Sequence, residues 1–346
     1  MKRKSGESER KKFMPSPKPT DSQRTSGIDD SNRETKFGGY PTLRATLPRI
    51  IEMEYRMVSE IKEVERHVVP RLPSAAVQKI PRTIFQTFET RRVPAGLFGA
   101  TRSWFELNPE YEYRFYDDDD RRTLIKEHFG EQTLACYESL SKGTFRADFW
   151  RYCALYVHGG VYADADTLCT RPLRELIREN DDFIVPRGTI PRFLFNAFIC
   201  SVPRHPFLKN VIDTAVERFK TGDFAHTFIV GAGALGIAVN KTLGRDVSST
   251  FRVGNHNIAG FSFRILRKVT TPWLSGRRVL DGFRTIFMCQ YNGYFDDLKQ
   301  AGVSHWYTDR PSLAARLWLR LTSRRAMNRM WSRSAMRTKK YPRRHG

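Results

Sequence analysis

The stretch Arg146-Ala-Asp-Phe-Trp-Arg-Tyr-Cys-Ala-Leu-Tyr-Val-His-Gly-Gly-Val-Tyr-Ala-Asp-Ala-Asp166 decides how this chain is read. Phe145, Phe149, Tyr152 and Tyr156 recur at three- and four-residue spacing, the period of a helix, and Gly159-Gly160 supply the left-handed residues that end one. Asp148 and Arg151 then share a face of that helix. Val161-Tyr162-Ala163 has the length and character of a short buried strand. Asp164 and Asp166, two residues apart, are expected to leave its end on the same side. Carboxylates at the carboxyl end of a strand occupy the position where open α/β sheets take their ligands.

Two neighbouring carboxylates repel, so a half-buried pair calls for a cation. A hard divalent ion, Mn²⁺ or Mg²⁺, suits oxygen ligands and also holds phosphate oxygens. The Asp-x-Asp pattern alone says little, because Asp117-Asp118-Asp119-Asp120 contains it twice and is expected to cap a helix. The later copy is set apart by what precedes it, an Asp-x-x-Arg helix and then Gly-Gly-x-Tyr.

Outward from this centre, strand signals fall at 83–88, 113–116, 161–164, 183–185, 196–202 and 285–288, and helix signals at 121–128, 144–158, 206–219 and 232–243. The alternation predicts an α/β domain over 78–309 with a mostly parallel sheet and flanking helices. Ile50, Met53, Met57, Ile61, Val64 and Val68 are spaced by three and four, which predicts an amphipathic helix over 50–68 within a helical prefix, 46–77, that packs on the domain. Residues 1–45 are polar and proline-punctuated, with little to bury, and are expected to form a disordered basic tail.

A chain of 346 residues with 40% hydrophobic content can bury a large core. Its net charge of +22 is unevenly spread. Residues 1–40 hold ten Lys/Arg against six Asp/Glu, and residues 311–346 hold eleven against none, so half the excess sits on the C-terminal tail. In that tail Leu313, Leu317, Leu321, Met327 and Trp331 fall on one side of a helix, and Arg325, Arg329, Arg333 and Arg337 on another. Such a basic amphipathic segment, 310–346, suits an anionic membrane surface. No apolar run reaches the roughly 20 residues of a spanning helix, which places the chain in the cytoplasm or on the cytoplasmic face of a membrane. The five cysteines are scattered without a Cys-x-x-Cys pair, pointing to neither a zinc site nor a disulfide framework. With the charge on tails and no zinc-finger or RNA-recognition motif, a specific nucleic-acid partner is not expected.

The order Arg-Ala-Asp-x-x-Arg-Tyr, Leu-Tyr, His-Gly-Gly-Val-Tyr-x-Asp-x-Asp resembles the sugar-binding region of glycosyltransferase family 32, the group of the yeast-type initiating mannosyltransferases and capsular polysaccharide synthesis proteins. More remotely it is similar to the catalytic domain of the large clostridial glucosylating toxins. Ile80-Pro81-Arg82-Thr83-Ile84-Phe85-Gln86-Thr87-Phe88, Trp104 with Asn108-Pro109-Glu110-Tyr111-Glu112-Tyr113, Asn196-Ala197-Phe198 and Pro203-Arg204-His205-Pro206 follow in family order. The resemblance implies the GT-A fold and a retaining, metal-dependent transfer of a hexose from a UDP- or GDP-sugar to a glycan, lipid-linked or protein acceptor.

It also implies roles. Asp164 and Asp166 would hold the ion. Asp148 would bind donor-sugar hydroxyls, and Arg151 would face sugar and phosphates. Gln86 and Thr87 would touch the nucleotide, and Gly160 and Tyr162 would line the donor site. Phe88 either stacks on the base or belongs to the core. Asn196 would approach sugar or acceptor, and His305 stands where such enzymes return a late residue to the metal. Phe85 replaces the family's His, which removes any polar role there. The competing readings are a catalytically idle sugar-nucleotide-binding relative, expected to have lost a ligand aspartate, and a basic nucleic-acid-binding protein.

Overall fold

The computed structural model describes residues 60–74, 77–141, 143–221, 230–270 and 277–300. The strands are β1 (Ile61–Glu63), β2 (His67–Val68), β3 (Thr83–Thr87), β4 (Arg92–Pro94), β5 (Glu112–Tyr116), β6 (Gly160–Ala163), β7 (Leu168–Cys169), β8 (Phe183–Pro186), β9 (Phe198–Ser201), β10 (Gly254–Ile258), β11 (Phe261–Thr270), β12 (Arg277–Asp281) and β13 (Arg284–Met288). The helices are α1 (Ala95–Leu107), α2 (Asp118–Phe129), α3 (Glu131–Glu138), α4 (Gly143–His158), α5 (Pro206–Lys220), α6 (Ala232–Thr242) and α7 (Tyr294–Gln300).

Among the described residues one large sheet runs β2-β5-β3-β6-β9-β8-β11-β12-β13-β7, with β10 on β11, and β1 pairs with β4 apart from it. Its central strands β3, β6, β8 and β9 are buried on both faces, and the pleat sorts the sheet's side chains between two cores. Ile84, Val161, Ala163, Ile184, Cys200 and Leu266 meet α1 and α7 on one side. Phe85, Tyr162, Phe183, Val185, Ile199 and Ile265 meet α2 to α6 on the other. Helix α4 sits deep in that second layer, buried continuously from Phe149 to Leu155. Asp117 and Asp120 form a reciprocal capping box at the start of α2, the role expected of that acidic run.

The α/β class with flanking helices is as expected, while the sheet as a whole is mixed. β3 is parallel to β5 and β6, and β8 to β11, but β9 lies antiparallel between β6 and β8. β10 to β13 form a meander. Two-residue turns such as Ala259-Gly260, both at positive φ, leave no length for a parallel crossover. Even so, β5, β3, β6, β8 and β11 all run the same way, and their carboxyl ends gather along one edge. That edge carries the Asp-x-Asp segment.

The helix expected over 50–68 is not formed in its described part. Residues 61–63 are β1, which pairs with Arg92–Pro94, and residues 67–68 are β2 at the sheet edge. Spacing of three and four also fits two short strands joined by a bend, and long-range pairing decided between them. Val64 is buried between them in the α1-side core. Helices α1 and α3 and strands β10 to β12 carry no expectation from the sequence. Helix α1 opens on Pro94-Ala95-Gly96, where propensity is poor, and forms because Leu97, Ala100, Trp104 and Phe105 are buried. The 1–45 and 310–346 tails, the first part of the 46–77 prefix and His305 lie outside the described residues. All five cysteines are unpaired and buried. Among the described residues no helix is long and apolar enough to cross a membrane.

Candidate active site

Strand β6 ends at Ala163, and Asp164 to Thr167 form a tight turn rather than an extension of the strand. The Asp164 carbonyl accepts the Thr167 N–H at 3.0 Å and the Thr167 hydroxyl at 2.5 Å. It also accepts from the Gln86 amide at 3.2 Å. The Asp164 N–H donates to Ala197 at 2.9 Å, and the Trp104 indole N–H donates to the Thr167 carbonyl at 3.0 Å. β3, α1 and the segment before β9 thus all grip the turn. The backbone there is a turn, and the two carboxylates it carries lie close enough for the charge of Asp164 to act on Asp166. Asp164 is held from the α4 side by Arg151 and Tyr162. Gln290, from the segment after β13, is near enough to Asp166 to oppose the rise of its pKa.

Arg151 organises the α4 side. Its Nε donates to the Ala147 carbonyl at 3.1 Å and its Nη1 to the Asn196 carbonyl at 2.7 Å. Its Nη2 lies 2.9 Å from Asp148 Oδ1 and 3.1 Å from Asp164 Oδ1. The guanidinium stacks 4.4 Å from the centre of the Tyr162 ring, whose hydroxyl donates to Asp164 Oδ1 at 2.7 Å. Asn196 completes the network by donating to Asp148 Oδ1 at 2.9 Å and to the Tyr152 hydroxyl at 3.0 Å. The Arg151 side chain is 4% exposed, whereas Asp148 keeps 19% and Asp164 31%. Every nitrogen of Arg151 is occupied inside the protein, and only the carboxylates it orients open outward. These bonds give Arg151 a positioning role toward Asp148 and Asp164.

The electrostatics of the cluster follow from burial and like charge. Burial is the main cause pushing the Asp148 carboxyl up to about 7, opposed by Arg151, reinforced by Asp164 and opposed again by the Asn196 amide. Burial first, and then the Asp164 charge, hold Asp166 well above the usual carboxylate range. Crowding Asp148, Asp164 and Asp166 beside one guanidinium leaves a penalty on negative charge that the arginine alone does not lift. A divalent cation would remove it, and the oxygen donors of Asp164 and Asp166 are the ligand type such an ion takes. The residues fit the implied metal. Among the described residues no third His, Cys, Asp or Glu joins them in a ligating group.

The remaining expected site residues divide between the edge and its foundations. Gln86 is fully buried and bonded at both ends, with the Tyr113 hydroxyl donating to its Oε1 at 3.0 Å. Thr87 is buried too, its hydroxyl donating to the Tyr116 carbonyl at 2.6 Å. Both hold the strands beneath the site. Phe88 is half-buried against the α1-side core. Gly160 stands at the far end of β6 from Asp164, at φ +95°, where a Cβ would come within 2.6 Å of the Thr83 carbonyl oxygen. Strand packing requires a glycine there. Phe85 stacks on His158, with ring centres 5.8 Å apart, inside the other core. Residues without an expectation also join the edge: Gln290, Tyr294 and Lys268 bear on Asp166 or Asp164. Nothing local in the sequence marks them, because they come from β11 and from the segment after β13.

Residues 94–183 match the family model described as a glycosyltransferase sugar-binding region containing a DXD motif. The chain is 33% identical over 153 residues to inositol phosphoceramide mannosyltransferase 3 of Schizosaccharomyces pombe, covering 44% of this chain and 41% of that protein. It is 33% identical over 166 residues to a mannosyl phosphorylinositol ceramide synthase of Saccharomyces cerevisiae, covering 47% and 42%. It is 26% identical over 117 residues to the initiation-specific alpha-1,6-mannosyltransferase of Candida albicans, covering 32% and 30%. The chain thus spans less than half the length of these relatives. Among solved structures, the PaToxG glycosyltransferase aligns with a TM-score of 0.42 at 17% identity, over 48% of this chain and 71% of that one. The resemblance to glycosyltransferase family 32 is borne out by the family model and by these relatives, and Asp164-Ala165-Asp166 lies inside the matched region.

Proposed function

We propose that this chain is a GT-A-type, metal-dependent glycosyltransferase that moves a hexose, with retention of configuration, from a nucleotide-diphosphate sugar to an acceptor hydroxyl. One observation carries the reading. Asp148, Asp164 and Asp166 converge at the carboxyl edge of five co-directional strands, two of them locked by a buried arginine and left open outward. The names of the relatives support mannose as the sugar and a phosphoinositol lipid as the acceptor class. The basic composition of residues 311–346 supports peripheral attachment to an anionic membrane, where such a lipid resides.

Asp164 and Asp166 would hold Mn²⁺ or Mg²⁺, which when bound supplies Lewis-acid neutralisation of the diphosphate leaving group. Asp148, gripped at Oδ1 by Asn196 and Arg151, presents the rest of its carboxyl to donor-sugar hydroxyls. In the transfer the anomeric carbon loses its bond to the diphosphate oxygen and gains one to the acceptor oxygen, and the acceptor's proton passes to the departing diphosphate. Arg151 orients Asp148 and Asp164 by sitting between them, 2.9 Å from one and 3.1 Å from the other, and opposes the rise of the Asp148 pKa.

The test is a screen of GDP- and UDP-hexoses for hydrolysis and transfer with Mn²⁺, with EDTA as the control and Asp166→Ala as the variant. Turnover should require the metal and fall about 100- to 1000-fold in the variant, the scale of removing one pre-organised electrostatic group. Folding should be retained, because the substitution removes a carboxylate that its neighbours disfavour. Full turnover in chelator would refute the metal reading, and turnover of no sugar nucleotide at all would refute the transferase.

A further inference from the structure

Strand β11 runs parallel to β8 with Leu266 opposite Pro186, so Lys268 lies just past the carboxyl end of β8, on the edge that carries Asp164. By the pleat it shares a face with Arg264 and Leu266. Arg264 is buried and paired with Asp181 at 2.9 Å and Asp281 at 3.2 Å. Lys268 is different: it is partly buried and makes no ion pair among the described residues. Its ammonium instead stands 3.4 Å from the centre of the Phe195 ring. Phe195 immediately precedes Asn196, the residue that bonds Asp148, and packs on the α1-side core. An aromatic face holds a cation in place without neutralising it, leaving its N–H donors for an anion.

We propose that Lys268 is a phosphate ligand of this site, its ammonium held over Phe195 at the same sheet edge as Asp164 so as to pair with a phosphate oxygen of the substrate. The inference rests on the sugar-nucleotide reading and adds to it the residue that recognises phosphate. Arg151, the cation nearest the carboxylates, has each of its three nitrogens bonded inside the protein and its side chain only 4% exposed, so a cation at the rim is better placed to meet the leaving diphosphate. Burial is the chief influence lowering the Lys268 pKa, with Cys289 and Asp164 opposing the fall and Arg277 adding to it. A partly desolvated ammonium attracts an anion more strongly than one in open water. Two substrates of the proposed reaction bring phosphate: the nucleoside diphosphate of the donor and the phosphodiester of a phosphoinositol acceptor.

Binding of GDP, UDP, guanosine and inositol 1-phosphate to the full chain with Mn²⁺, compared between wild type and Lys268→Met, separates these sources. Weakening of a nucleoside diphosphate at least tenfold, with guanosine unchanged, assigns Lys268 to the donor. An equal loss confined to inositol 1-phosphate assigns it to the acceptor. Lys268→Arg should recover most of either loss. Amine acylation of the native protein, read by mass spectrometry, gives a measure independent of any variant, and the phosphate that binds Lys268 should slow its modification at least severalfold. If neither phosphate ligand loses affinity in Lys268→Met nor protects Lys268 from acylation, the proposal is overturned. Should wild type turn over sugar nucleotides while these results are negative, Lys268 alone is misassigned; should it turn over none, the transferase reading fails first.

Discussion

Replacing Arg151 by Lys separates a positioning arginine from one that touches the substrate. The guanidinium makes two bonds to backbone carbonyls, those of Ala147 and Asn196, and bridges Asp148 and Asp164 from a single nitrogen. An ammonium keeps the charge, and from the same stem it can stay near the carboxylates, but it lacks the planar fork that reaches both carbonyls and lies flat on Tyr162. Hydrogen bonds with one charged partner are worth about 1.5–3 kcal/mol each. Losing two and recovering part through rearrangement costs about 3 kcal/mol of stability, or a Tm drop of roughly 6–12 °C for a domain of this size. Once Asp148 and Asp164 lose their common anchor, kcat should fall at least about tenfold, equal to about 1.4 kcal/mol of transition-state stabilisation. Urea denaturation monitored by tryptophan fluorescence gives the first quantity, and donor turnover at saturating and limiting sugar nucleotide gives the second. A Lys variant as stable as wild type but with donor affinity reduced tenfold would refute the reasoning, because only an arginine in contact with the ligand behaves so.

Two further outcomes follow from the geometry. His205 is buried at the start of α5 and its Nδ1 accepts the Phe207 N–H at 3.2 Å, which requires the unprotonated ring; burial lowers its pKa to about 4. The unfolded chain takes up that proton near the ordinary value of about 6.5, so between these limits it binds more protons than the folded state. The stability due to neutral His205 is complete above about pH 6.5 and is lost by about 3 kcal/mol as pH falls to 4; denaturant titrations across the range should show it, and His205→Asn, which can still cap, should flatten the slope. Gly160→Ala forces a side chain to φ +95° and against the Thr83 carbonyl oxygen, so it should cost at least about 2 kcal/mol while leaving nucleotide binding by the folded fraction unchanged; a variant as stable as wild type would show that β3 and β6 can part.

By itself the sequence determined everything that depends on near neighbours along the chain. The apolar period of 144–158 and the glycines after it placed α4 and β6 to within a residue, and the acidic run 117–120 declared its own capping box. The Asp-x-x-Arg spacing put Asp148 and Arg151 on one helical face, where they pair at 2.9 Å. The tertiary structure alone decided what depends on chains brought together from afar. Residues 61–68 are strands because Arg92–Pro94 and β5 offered partners, although their apolar spacing matches a helix. Arg151 turned inward because Asn196 and Tyr162 surround it, and no spacing rule tells a buried guanidinium from an exposed one. Gln86 and Thr87 became foundations for the same reason, since hydrogen-bond satisfaction inside a core is settled by residues such as Tyr113 and Asp164 that lie 27 and 78 positions away. Lys268, more than a hundred residues beyond the Asp-x-Asp turn, stands at that turn's edge only because β8 and β11 run parallel, and the pairing of strands is a long-range energy that local pattern does not encode.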